Sequence, residues 1–283
     1  MGELTGRTFL VTGANTGIGK ETVRGLAGRG ARVVLAGRSE ERTRAAIEEI
    51  AAETVNTDLD HLPLDLGDLA SVRAAAAAFL ATGERLDVLV NNAGLAGKRG
   101  MTRSGFELAF GTNHVGPFLL TELLRDRIAE NGPGRIVNVA SAGHYRAKGI
   151  DWDAVRRPSV TRTAFDEYCV SKLANVLHAQ ELGRRLVGTG VTTYALHPGA
   201  VASDVWREVP FGLRHVMKLF MRSTVDGART SLYCATAPEL AGVTGRYYDD
   251  EREKAPSPVA TPELAAELWE RTETWVAESR TDA

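Results

Sequence analysis

Cysteine is scarce in this 283-residue chain: Cys169 and Cys234 are too few for a disulfide framework and fit a reducing compartment. Long apolar runs are missing too, none reaching the roughly 18 residues a membrane-spanning helix needs. The opening Met-Gly-Glu-Leu-Thr-Gly-Arg-Thr has neither the charged nor the apolar region of a secretory signal, and Gly6 stands where a myristoylation motif needs Ser or Thr. A soluble cytoplasmic protein with no membrane anchor is therefore expected. An excess of one charge is also absent, the net value being -2 with both signs mixed, so nucleic acid is not an expected partner. The six histidines form no ligand cluster and call for no metal. What remains is an ordinary globular composition, 43% hydrophobic and 25% charged, long enough for a substantial core.

Strand and helix patterns alternate along the chain. Residues 8–12 read as a strand running into Gly13-Ala14-Asn15-Thr16-Gly17-Ile18-Gly19 and a helix to about 27; 32–36 is a second strand, followed by a helix over 39–53. Strands over 62–66 and 86–90 flank an alanine-rich helix at 69–82, and a long helical pattern covers 104–130. Further strands are expected over 135–140, 191–196 and 245–248, with helices over 168–186, 223–237 and 261–278. Such alternation predicts an α/β fold, a single Rossmann-type doubly wound parallel sheet of about seven strands with helices on both faces. One domain over 1–283 is expected, with a polar insertion at about 143–165 and an apolar, bulky stretch at about 200–224. That stretch reads either as a substrate lid or as an amphipathic helix packed on the body.

In such sheets ligands bind at the carboxyl ends of the strands. Glycines between the first strand and helix allow a tight turn, close approach of backbone N–H groups to a pyrophosphate, and a helix N-terminus aimed at it. Gly13, Asn15, Thr16, Gly17, Ile18 and Gly19 are therefore candidate nucleotide contacts. The second strand ends in Gly37-Arg38-Ser39, with no Asp or Glu for a free ribose hydroxyl but with a planar cation suited to a 2'-phosphate, so NADP(H) is expected over NAD(H). Asp65 and Leu66 end the third strand, where Asp65 either bonds an adenine amino group or serves as a turn acid. Small residues at Asn92-Ala93-Gly94 leave room for a cofactor, and Leu95 follows as a candidate substrate contact.

Pro117 is expected to kink the long helix, leaving backbone groups near Asn113 to be met by water or side chains. Asn113 then either holds a water or packs against a neighbouring helix. Ser141, at the end of the fifth strand, is placed to hydrogen-bond a substrate oxygen or to form a turn, and no nucleophile elbow surrounds it. Tyr168 and Lys172 are four apart on one helix and share a face. At ~4 Å and an effective dielectric of ~20 their Coulomb term is roughly 4 kcal/mol before desolvation, or at most about 3 pKa units off a phenol. Alone the spacing is equally that of two surface residues. His144, Tyr145 and Trp206 complete the candidate substrate contacts, and Cys169 reads as a small buried apolar residue.

In combination and in order, Thr12-Gly13-Ala14-Asn15-Thr16-Gly17-Ile18-Gly19, Asn91-Asn92-Ala93-Gly94, Asn113, Ser141, Tyr168-x-x-x-Lys172 and His197-Pro198-Gly199 resemble the short-chain dehydrogenase/reductase family over essentially the whole chain. The stretches Gly-Thr-Asn-His-Val-Gly-Pro-Phe, Tyr-Cys-Val-Ser-Lys-Leu-Ala-Asn and Leu-His-Pro-Gly-Ala-Val are most similar to its retinol dehydrogenase and WW-domain oxidoreductase branch. The resemblance implies Tyr168 as general acid and base, Lys172 as its tuner and a ribose ligand, Ser141 polarising a carbonyl, and Asn113 holding a water of a proton relay. It also implies that Pro198, Gly199, Val201 and Ser203 hold the nicotinamide carboxamide. The activity implied is hydride transfer between NADP(H) and a small lipophilic alcohol, aldehyde or ketone. A non-catalytic NADP-binding scaffold or sensor is the alternative, and a homodimer, homotetramer or monomer all fit the sequence.

Overall fold

A computed structural model describes residues 2–199 and 223–279. Among the described residues eight strands form one sheet in the order β3-β2-β1-β4-β5-β6-β7-β8. They are β1 Thr8–Thr12, β2 Arg32–Gly37, β3 Leu59–Pro63, β4 Val88–Asn91, β5 Arg135–Val139, β6 Thr192–His197, β7 Arg246–Asp249 and β8 Arg252–Lys254. All neighbours are parallel except β7 and β8. The helices among the described residues are α1 Gly17–Ala27, α2 Glu40–Thr54, α3 Leu69–Ala81, α4 Leu108–Phe110, α5 Gly116–Glu130, α6 Phe165–Arg185, α7 Thr224–Thr236 and α8 Pro262–Glu278. None of them is long and apolar enough to cross a membrane.

Both faces of the sheet are covered, which is why its inner strands read as unbroken apolar runs. Along β1, Phe9 and Val11 join the core under α1, α2 and α7, whereas Leu10 points the other way into the core under α3, α5, α6 and α8. Side-chain caps set several helix starts: Ser39 accepts from the Arg42 N–H at 3.4 Å, and Asp68 accepts from the Ala70 N–H at 3.0 Å.

The expected sheet is present, with departures that have physical causes. The eighth strand follows a two-residue turn in which Asp250 and Glu251 adopt φ of 54° and 60°. Such turns are normally signalled by Asn-Gly or Asp-Gly, and here Glu251 stands where the glycine would mark it. The third strand lies over Leu59–Pro63 rather than 62–66, because it is the polar edge strand and its pairing with β2 ends at Pro63. The long helix expected over 104–130 is broken by a π-helical turn at Gly111–Val115, and Pro117 sits harmlessly in the first turn of α5. Gly116 is needed there, since a Cβ would stand 2.2 Å from the Leu66 carbonyl oxygen.

The insertion is docked rather than draped over the surface. The Glu107 N–H donates to the Val155 carbonyl at 2.9 Å, the Ser159 hydroxyl donates to the buried Glu107 carboxylate at 2.5 Å, and the Arg156 guanidinium stands 4.5 Å from the Phe106 ring centre. The lid expected over 200–224 lies, apart from its last two residues, outside the described residues, as do Val201, Ser203 and Trp206.

Candidate active site

A continuous cleft of about 790 Å³ runs along the carboxyl ends of the parallel strands. Its outer end is the glycine turn. Gly13, at φ 64°, packs so closely on the loop after β4 that a Cβ would lie 2.8 Å from Ala93 Cα. A Cβ on Gly19 would stand 2.4 Å from both Asn92 Nδ2 and the Gly13 carbonyl oxygen. Thr12 locks the two loops together: its hydroxyl oxygen accepts from the N–H groups of Asn92 and Ala93, each at 3.0 Å, while Asn92 Nδ2 donates to the Thr12 carbonyl at 2.8 Å. The first turn of α1 holds no acidic residue, so its positive end meets the cleft uncompensated.

All the described residues expected at a nucleotide line this one cleft: Gly13, Asn15, Thr16, Gly17, Ile18, Gly19, Arg38, Asp65, Leu66, Asn92, Ala93, Gly94, Tyr168, Lys172, Pro198 and Gly199. Glycines that leave no room for a Cβ, a helix N-terminus and a cation beyond β2 fit a dinucleotide phosphate backbone. Asp65 lines the cleft, and its carboxylate accepts from the Gly67 N–H at 3.0 Å as a turn acid does. Arg42 lines the cleft as well and was not singled out from sequence, although its place one turn into α2 beyond Arg38 was visible there.

At the inner end Ser141 and Tyr168 line the cleft side by side, a Cβ on Gly143 standing 3.5 Å from both Ser141 Oγ and Tyr168 Cε1. Ser141 follows β5 and its oxygen accepts from the Gly143 N–H at 3.1 Å. Tyr168, 6% exposed, is carried by α6, which the buried Ala164 starts from the left-handed region at φ 49°. Phe165 lines the cleft one turn earlier, its ring 6.0 Å from that of Tyr168 and tilted by 26°. Starting the helix at Tyr168 had hidden it.

The electrostatic expectation for the phenol is reversed. Burial pushes Tyr168 up to about 12, with the Ser141 hydrogen bond opposing it, and burial pulls the Lys172 amine down to about 7. The Lys172 amine lies 5.7 Å from the Tyr168 ring centre and donates to the Val139 carbonyl at 2.7 Å.

Asn113 does not line the cleft, and its side chain works as a clamp. Oδ1 accepts from the Leu95 N–H at 2.9 Å, and Nδ2 donates to the Leu95 carbonyl at 3.0 Å and to Ser171 Oγ at 2.9 Å. Gly94 is squeezed between the two polar groups, since a Cβ there would lie 3.3 Å from Lys172 Nζ and 3.4 Å from Asn113 Oδ1. Leu95 lines the cleft as expected, but His144 and Tyr145 do not. His144 is buried, donating through Nδ1 to the Ser141 carbonyl at 2.7 Å and accepting at Nε2 from the Ser257 N–H at 3.1 Å. The Tyr145 hydroxyl turns outward to the Ala255 carbonyl at 2.7 Å. Arg146, which no sequence pattern marked, lines the cleft in their place.

Comparison with known proteins adds an independent line. A family model described as short chain dehydrogenase matches residues 7–151. Dehydrogenase/reductase SDR family member 13 of Homo sapiens is 47% identical over 277 residues, covering 95% of this chain and 73% of that protein. Retinol dehydrogenase 12 of Homo sapiens is 44% identical over 271 residues, covering 94% of this chain and 85% of that protein. Among solved structures, an actinorhodin polyketide ketoreductase variant with NADPH superposes with a TM-score of 0.66 at 28% identity, covering 86% of this chain and 95% of that one. With fold, cleft and sequence in agreement, the chain belongs to the short-chain dehydrogenase/reductase family, on its retinol dehydrogenase branch, and is a NAD(P)-dependent oxidoreductase of alcohol and carbonyl groups.

Proposed function

We propose that this protein is an NADP(H)-dependent reductase of lipophilic aldehydes and ketones, with Tyr168 as the proton donor. The observation that carries the reading is that Ser141 and Tyr168 stand side by side at the inner end of the cleft that begins at the glycine turn. Two hydroxyls there reach one carbonyl oxygen from the protein side. A bound nicotinamide would supply the hydride. The cofactor preference rests on Arg38 and Arg42, which both line the cleft beyond β2, and on Gly37 where a carboxylate would repel a 2'-phosphate. Glu49 lines the same end but is ion-paired with Lys20 at 2.5 Å and Arg24 at 2.7 Å.

In this mechanism Ser141 donates to the carbonyl oxygen and Tyr168 protonates the developing alkoxide. Burial keeps the phenol protonated at neutral pH, the state a proton donor needs, and the same group takes the proton back in the reverse reaction. Lys172 braces the cofactor side of the site from its bond to Val139, and its lowered pKa lets it exchange protons near neutral pH. Asn113 positions the Leu95 backbone and, through Ser171, the helix turn that carries Tyr168. Asn92, Ala93 and Gly94 would support the nucleotide, and Pro198 and Gly199 would hold its nicotinamide.

The test is oxidation of NADPH by purified protein with aldehydes, ketones, quinones and retinoids. Tyr168→Phe is expected to lower kcat by between about 100-fold and 10,000-fold. A variant that turns over like the wild type would remove Tyr168 from the reaction. A wild type that binds NADPH but oxidises none with any compound would favour the scaffold reading.

A further inference from the structure

We propose that Arg146 is a specificity-determining residue of this cleft, selecting carbonyl substrates that carry an anionic group, most simply a carboxylate, on an otherwise apolar body. The inference rests on the reductase reading above and extends it to the substrate's chemistry. The 3₁₀ turn Ala142–Arg146 follows Ser141 directly. Residues three apart in such a turn eclipse one another, so Gly143 and Arg146 share a face. That face is turned toward the reacting end of the cleft: a Cβ on Gly143 would lie 3.5 Å from Ser141 Oγ and 3.5 Å from Tyr168 Cε1.

The turn is held firmly. The Ser141 side chain caps it through the Gly143 N–H, and His144 ties it at both ring nitrogens, to the Ser141 carbonyl and to the Ser257 N–H. Arg146 leaves this anchored turn with its guanidinium 5.5 Å from the centre of the Phe165 ring, which in turn stacks on Tyr168. Contact with the ring occupies one face of the guanidinium and leaves the N–H edge for other partners. Among the described residues that edge has no hydrogen bond, and no carboxylate lies within 4.0 Å of it. An exposed planar cation is thus presented one ring away from the catalytic phenol, in a cleft whose surface is otherwise more apolar than polar. A planar fork of this kind recognises a carboxylate in two-pronged fashion.

Matched test compounds are para-carboxybenzaldehyde and its neutral methyl ester, compared by kcat/KM with NADPH. In the wild type the acid is expected to be favoured over the ester, and Arg146→Met to reduce that ratio about tenfold. Arg146→Lys should restore part of the preference and Arg146→Glu should invert it. A ratio that is the same in all four proteins would overturn the assignment while leaving the reductase reading intact. Should neither aldehyde be reduced, the reductase reading is decided by the wider panel above, and thermal stabilisation of the NADPH-loaded protein by benzoate over benzamide decides the present one. Equal stabilisation of wild type and Arg146→Met by benzoate would overturn it.

Discussion

Replacing Lys172 by Met tests the electrostatics of the site directly. Lys172 is 4% exposed, and burial lowers the pKa of its amine from 10.5 to about 7. Below pH 7 the folded protein must bury an ammonium ion; between 7 and 10.5 the unfolded chain binds a proton that the folded chain refuses. Wild-type stability therefore rises with pH through that window, by an amount that a shift of this size sets at roughly 5 kcal/mol in full. From about pH 6 to about pH 9 the gain is about 3 kcal/mol. Met keeps the length of the side chain and loses the titration. Its one pH-independent cost is the 2.7 Å bond to the Val139 carbonyl, about 1 kcal/mol, and Asn175 Nδ2 at 3.3 Å remains as a donor there. Urea unfolding of both proteins without nucleotide, repeated across this pH range, isolates the effect, because every other titrating group cancels in the difference. Lys172→Met should be the more stable protein at about pH 6 and lose about 3 kcal/mol of that advantage by about pH 9. A difference that stays flat with pH would refute the reasoning and mean that the carbonyl bond keeps Lys172 charged in the fold.

Three further outcomes are expected. Gly19→Ala sets a Cβ 2.4 Å from the Gly13 carbonyl, a backbone atom that only a shift of α1 can clear, so the KM for NADPH should rise by about 10- to 100-fold; an unchanged KM would show that the turn yields freely. Thr12→Val removes the acceptor of the Asn92 and Ala93 N–H groups, and urea unfolding should show a loss of about 2–4 kcal/mol, against the few tenths expected of an inert swap. Arg38→Glu places a carboxylate where a 2'-phosphate is proposed to sit, and the NADPH to NADH ratio of kcat/KM should fall at least about tenfold; a ratio left at its original value would move the phosphate site elsewhere.

Periodicity and punctuation alone determined the parallel sheet, the order of its helices and the edge on which Gly13, Arg38, Asn92, Ser141 and Tyr168 gather, because each of these follows from local chain geometry. Local signals ran out where the backbone used residues that do not advertise their conformation, as at Asp250-Glu251 before β8 and at the π-helical turn that carries Asn113. Charge states were beyond them too. Spacing puts Lys172 beside Tyr168, but only packing decides that the amine bonds the Val139 carbonyl and that desolvation, not attraction, governs both groups. The exchange of roles along Ser141-Ala142-Gly143-His144-Tyr145-Arg146 is of the same kind. Which of His144, Tyr145 and Arg146 faces the cleft depends on Ser257 and Ala255, more than a hundred residues away in the chain, and no pattern within the segment encodes partners that only the folded sheet brings alongside.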